Sequence, residues 1–106
     1  MTAIEIGESF AEECQEDHVG LWRIVNAVRD ELGVHDPLEL LRVTLGIVRD
    51  LLEERGMQVG CPTPDGRHFT AWDLPPAQAL SRIEHEWSEL GHDPDIGQVA
   101  WFTTPE

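Results

Sequence analysis

Between Asp36 and Gly56 the sequence allows little besides a buried helix, and the rest of the chain has to be arranged around it. Asp36-Pro37-Leu38-Glu39 places a carboxylate at an N-cap, Pro at the first helical position and Glu at the third. These residue types satisfy or tolerate the backbone N–H groups that a helix start leaves unpaired. Leu38, Leu41, Leu45, Val48 and Leu52 then recur three and four apart. Leu40, Ile47 and Leu51 widen the apolar arc to about half the circumference. A helix with so wide an arc needs neighbours on more than one side, so it is expected at the centre of the core. Its outer arc, with Glu39, Arg42, Arg49, Asp50, Glu53 and Glu54, mixes signs at helical spacing and reads as a solvated face.

Two further helices are legible on either side. From His18 to Leu32, the residues Leu21, Val25, Val28 and Leu32 line one face, and Gly33 follows as a stop. Trp22 falls about 100° from that line, beside His18, Asn26 and Arg29, at the edge of the buried face. Pro75 and Pro76 open the other helix, in which Leu80, Ile83, Trp87 and Leu90 repeat the pattern up to Gly91, with Glu84, His85 and Glu89 outward. Met57 to Cys61 and His68 to Trp72 are β-prone runs separated by Pro62-Thr63-Pro64-Asp65-Gly66-Arg67, which predicts a hairpin with a loop longer than two residues. Val99 to Thr103 reads as a strand that is apolar on both faces, hence central or a covered edge.

At the N-terminus the pattern is weaker. Thr2 to Ile6 alternates, so residues 1–8 are expected as a short strand or a mobile arm, and Ser9 with Glu12 predicts a short helix reaching Glu16. The sum is a single α+β domain over residues 1–106, with three main helices packed on a small antiparallel sheet made of the hairpin and the C-terminal strand. The order helix, long helix, hairpin also resembles a winged-helix arrangement at the level of the fold.

At 106 residues, 41% of them hydrophobic and including four Trp, the chain can bury a core without metal or disulfide staples. No stretch is long and apolar enough to span a membrane, and Met1 to Phe10 lacks the basic start and apolar run of a secretory signal. The expectation is a cytoplasmic protein whose Cys14 and Cys61 are reduced thiols. The net charge is −14, from 21 Asp and Glu against seven Arg and no Lys. Phosphate backbones are bound by basic patches, so nucleic acid is a disfavoured partner, whereas a basic protein would be attracted and steered. Self-association as a homodimer stays open.

A search for chemistry returns near-misses. Cys14 and His18, Cys61 and His68, and His85 and His92 do not form a paired metal motif. His85-Glu86 begins like a zinc-protease helix, but position 89 is Glu where the second His would stand. Asp93 and Asp95 resemble the start of a calcium loop, but Gly97 comes one position early and no Glu closes it. There is no Gly-rich phosphate loop and no GxSxG, and the carboxylates are spread over helix exteriors. The chain is therefore expected to be no enzyme and to need no cofactor and no metal.

The acids are more suggestive. Glu12, Glu13, Glu16 and Asp17 fall within six residues, and Asp30, Glu31 and Asp36 surround the loop after the first long helix. Like charges so close repel one another, a cost that a merely soluble protein avoids by interspersing Lys. Trp87 and Trp101 fit the core pattern, while Trp22 and Trp72 are candidates for interface anchors. The candidate partner-binding residues are Glu12, Glu13, Glu16, Asp17, Trp22, Asp30, Glu31 and Asp36; a solvated acidic face remains the plain alternative.

Trp72-Asp73-Leu74, followed by Ile83-Glu84, Glu86-Trp87, Leu90-Gly91, Pro94, Gly97 and Trp101-Phe102, resembles a pattern in short acidic bacterial proteins, mostly uncharacterised. Some of these are similar to immunity proteins encoded beside secreted toxins. The resemblance covers about 35 residues of caps, turns and packing aromatics. It implies a shared fold more than a shared target and carries over no functional residue; taken with the charge, the size and the absent chemistry, it leads to the expectation of a non-catalytic, immunity-type inhibitor of a basic, nuclease-like toxin domain. The alternatives are a winged-helix-like adaptor or regulator that recognises protein and, third, a small oligomeric enzyme.

Overall fold

The structure, a computed structural model, describes residues 2–65, 67–95 and 98–104. Its elements run α1 (Ala3–Glu13), β1 (Val19–Gly20), α2 (Leu21–Glu31), α3 (Pro37–Arg49), a π-helical turn (Asp50–Glu54), β2 (Gln58–Pro62), β3 (Phe69–Ala71), α4 (Pro76–Leu90) and β4 (Trp101–Thr103). The fold is α+β, as expected, with a four-stranded antiparallel sheet and four α-helices among the described residues, the short N-terminal helix being longer than expected.

This helix replaces the expected N-terminal strand or arm. Thr2 is its N-cap, and the Thr2 hydroxyl accepts the N–H of Glu5 at 3.2 Å. Thr2-Ala3-Ile4-Glu5 is thus a second Ser/Thr-x-x-Glu start, seven residues ahead of the one at Ser9, and the two expected pieces are one helix. Its core-facing side, Ile6, Gly7, Phe10 and Ala11, makes the choice: only a helix begun at Thr2 buries Ile6 and Phe10 together. Met1 lies outside the described residues.

The Asp36 cap is as expected, its carboxylate accepting the N–H of Glu39 at 3.0 Å. The buried face of α3 is rotated from the predicted line. Leu40, Thr44, Ile47 and Val48 are buried, Leu41 and Leu45 are only half-buried, and Leu38 is 64% exposed. A half-circumference arc does not specify its own rotation. α1, α2 and α4 all pack against α3 and set it. Beyond Arg49 the helix widens into the π-helical turn, in which the Arg55 N–H reaches the Asp50 carbonyl at 3.1 Å, and Gly56 ends it at φ +67°.

α2 begins at Leu21 instead of His18 because Val19 and Gly20 extend to form β1. The sheet order is β1-β4-β2-β3, so the C-terminal strand is central. On its core face Phe102 is fully buried between Val19 of β1 and Val59 of β2, its two cross-strand partners. Burying such a ring contributes about 1.5–3 kcal/mol. On the other face Trp101 lies between Gly20 and Gly60, and Thr103 stands opposite Gln58. The hairpin is β2 and β3, closed by the Thr63 N–H on the His68 carbonyl at 2.9 Å; Gly66, in its predicted turn, is outside the described residues. α4 buries Ala79, Ile83 and Trp87, and Gly91 ends it at φ +72°. Among the described residues no helix is long and apolar enough to cross a membrane.

One core position breaks the usual accounting. The Thr44 hydroxyl is completely buried and has no hydrogen-bond partner among the described residues. An unpaired buried hydroxyl costs on the order of 1–3 kcal/mol. Thr44→Val keeps the shape and removes the polar atom, so it is expected to raise stability by about 1 kcal/mol, or about 4–8 °C in Tm for a domain of this size, measured by thermal unfolding.

Candidate partner-binding surface

α1 ends in the wrong charge for a helix. Its last turn contains no basic residue, and Glu12 and Glu13 lie where the unpaired carbonyls concentrate negative potential. The chain then turns tightly, with the N–H groups of Glu16 and Asp17 donating to the Glu13 carbonyl at 3.0 and 2.9 Å, which keeps two more carboxylates at the same end. Glu12, Glu16 and Asp17 are exposed, and none of them pairs with an Arg among the described residues.

Glu13 is half-buried and ion-paired to Arg23 of α2, whose guanidinium also lies 5.6 Å from the centre of the Phe10 ring. These groups line a groove of about 310 Å³ between α1 and α2, which Asn26 and Glu31 complete. The structure thus joins Glu13 and Glu31, from the two acidic clusters, along one groove. Arg23 is the residue that sequence reasoning missed here. It is ten residues from Glu13, and no local periodicity links the two.

The other candidates are placed elsewhere. Asp36 is occupied as the cap of α3. Asp30 stands 3.7 Å from Arg29, which also contacts Asn26 and holds Asp93 at 3.2 Å. Trp22 is not among the residues that line the groove. It folds over Gly20 and meets Trp101 edge to face, with centroids 4.8 Å apart at 77°. Trp22 therefore packs on the outer face of the sheet, apart from the residues that line the acidic groove. Trp72 is half-buried beneath the Arg82 guanidinium, 3.8 Å from the ring centre.

The chemical near-misses have structural roles. His85 and Glu89 form an exposed pair at 3.1 Å on one face of α4. In the calcium-like stretch Asp93 is tied to Arg29 and Pro94 is buried, while Gly97 lies outside the described residues. Among the described residues no three His, Cys, Asp or Glu side chains are grouped to hold a metal ion. Cys14 and Cys61 are free thiols, one buried at the end of α1 and one exposed on β2. Burial, reinforced by the neighbouring Glu13 carboxylate, pushes the Cys14 thiol up to about 11.

Two outcomes follow. At neutral pH a thiol reagent should modify Cys61 and spare Cys14 in the folded protein. Because the folded state holds the Cys14 proton more tightly than the unfolded chain, its contribution to stability is complete below about pH 9 and is lost as pH rises through about 11; Cys14→Ala should flatten that alkaline loss in denaturant titrations. Separately, a Cβ at Gly20 would sit 1.6 Å from the Trp22 ring, so Gly20→Ala should displace Trp22 and change the near-ultraviolet circular dichroism. In comparison with known proteins, no family model, no curated protein and no solved structure matches the chain.

Proposed function

We propose that the chain is a non-catalytic acidic binding domain that covers a basic surface of a protein partner, in the manner of an immunity protein on a nuclease-like toxin domain. The observation that carries this reading is the row of exposed carboxylates Glu12, Glu16 and Asp17 at the carboxyl end of α1, where the helix dipole disfavours them and, among the described residues, no Arg pairs with them. A residue choice that opposes local stability is accounted for by a gain elsewhere, and a cationic partner supplies one. In the adjoining groove Arg23 pairs with Glu13, and Glu31 adds a further carboxylate along α2.

In such a complex the exposed carboxylates take the positions of substrate phosphates against Lys and Arg of the partner. The −14 charge accelerates encounter, and the apolar parts of the groove, such as Phe10, supply area removed from water. Inhibition needs no chemistry from this chain, only occupation of the surface that substrate would use.

The test is titration calorimetry and stopped-flow association with basic nuclease-type toxin domains. Native protein should bind tightly, with an on-rate that falls steeply with salt. The triple variant Glu12→Gln, Glu16→Gln, Asp17→Asn should lose about tenfold or more in association rate while its Tm stays level or rises. Weak, salt-independent affinity for basic candidates would sink the reading. A DNA band shift at physiological salt would instead favour the winged-helix-like adaptor.

A further inference from the structure

On the outer face of the sheet, away from the acidic groove, lies a cleft of about 320 Å³ with the opposite character. Its floor is the cross-strand pair Gln58 and Thr103, on the face that Val59 and Phe102 do not use. Its walls are His18, just before β1, and Arg67, His68 and Phe69 of the hairpin. Every ionisable side chain among these lining residues is a guanidinium or an imidazole, in a chain with 21 carboxylates against seven Arg and five His.

Among the described residues, the carboxylates next to His18 and Arg67 in the chain accept backbone N–H groups. Asp17 accepts the His18 backbone N–H at 2.7 Å. Asp65 accepts the Thr63 hydroxyl and, at 3.0 Å, the Arg67 backbone N–H. Five Arg side chains are ion-paired, Arg23, Arg29, Arg49, Arg55 and Arg82; among the described residues Arg67 has no such partner. The hairpin loop is also built to hold its end of the cleft. The Thr63 hydroxyl accepts the His68 N–H at 3.2 Å, and the His18 ring lies 5.1 Å from Phe69.

We propose that this cleft binds one small oxyanion group, a phosphate or a carboxylate. The Arg67 guanidinium offers a planar fork of donors matched to two oxygens, and the imidazoles, the Gln58 amide and the Thr103 hydroxyl supply further N–H and O–H donors around it. The negative field of the whole chain opposes anions at long range, so the affinity comes from contacts at short range and lies on the order of millimolar for a single group. This site is separate from the acidic groove and does not depend on the function proposed for it.

The experiment is a nuclear magnetic resonance titration of the full chain, with inorganic phosphate in one arm and acetate in the other. Both run at fixed pH and at an ionic strength held constant with chloride. Saturable shifts are expected at His18, His68 and Thr103, weakened at least tenfold in Arg67→Ala, whose unchanged Tm shows that it is folded. The arm that saturates identifies the group. The Glu12→Gln, Glu16→Gln, Asp17→Asn variant should bind the anion no more weakly than the native chain, even if it has lost its protein partner. Linear shifts in both arms, or equal saturation in Arg67→Ala, would overturn the proposal.

Discussion

The structure depends on the last strand entering between two earlier ones. β4 is three residues long, yet it pairs with β1 on one side and β2 on the other, and without it those strands share no hydrogen bonds. Phe102 carries the apolar share of that insertion, fully buried against Val19 and Val59. The backbone extends it: the Leu21 N–H meets the Ala100 carbonyl at 3.0 Å, and the Thr104 N–H meets the Cys14 carbonyl at 3.2 Å. Both ends of β4 thus clamp the starts and ends of helices. The turn that delivers it is strained, with Val99 at φ +70° and the Ala100 N–H on the Gln98 carbonyl, the less favoured form of the γ-turn. Two-sided pairing and a buried aromatic offset that strain.

The electrostatics follow from scarcity of base. Of seven Arg, with no Lys, five are ion-paired among the described residues. Arg55 ties the π-helical turn to α1 through Asp50 at 2.9 Å and Glu8 at 3.8 Å, Arg23 ties α2 to α1, and Arg29 ties α2 to the loop after α4. These pairs are at least partly exposed, where each contributes at most about 1 kcal/mol, so their effect is more to orient elements than to stabilise them. The carboxylates left over collect at helix ends, above all after α1. Negative surface in this protein is what remains once the helices have been fastened to one another.

Legibility from the sequence tracked locality. The Asp36-Pro37 start, the Gly91 stop, the hairpin and the central position of the long helix were all readable, because each rests on residues within one or two turns. The N-terminal helix was misread because Thr2-x-x-Glu5 and Ser9-x-x-Glu12 are equivalent locally, and only the burial of Ile6 and Phe10 against α3 separates them. Thr44 was missed as a core position because polarity argued against it, and the packing of three helices around α3 overrode that. Of the candidate site, the acidity at the end of α1 was legible as composition. The pairing of Glu13 with Arg23, the groove it shares with Glu31, and the packing of Trp22 on the sheet were not.

By itself the sequence determined the class of the fold, the helix starts that carry their own caps, and a surface dominated by carboxylates. Those properties follow from backbone geometry, side-chain periodicity and formal charge, none of which requires knowing what lies across the molecule. Tertiary structure alone decided the rotation of α3, the insertion of β4 between β1 and β2, and the division of the surface into an acidic groove and a cleft lined by Arg67, His18 and His68. The physical reason is that each of these joins residues far apart in the chain, where close packing and strand pairing choose among arrangements that local preference leaves equal in energy.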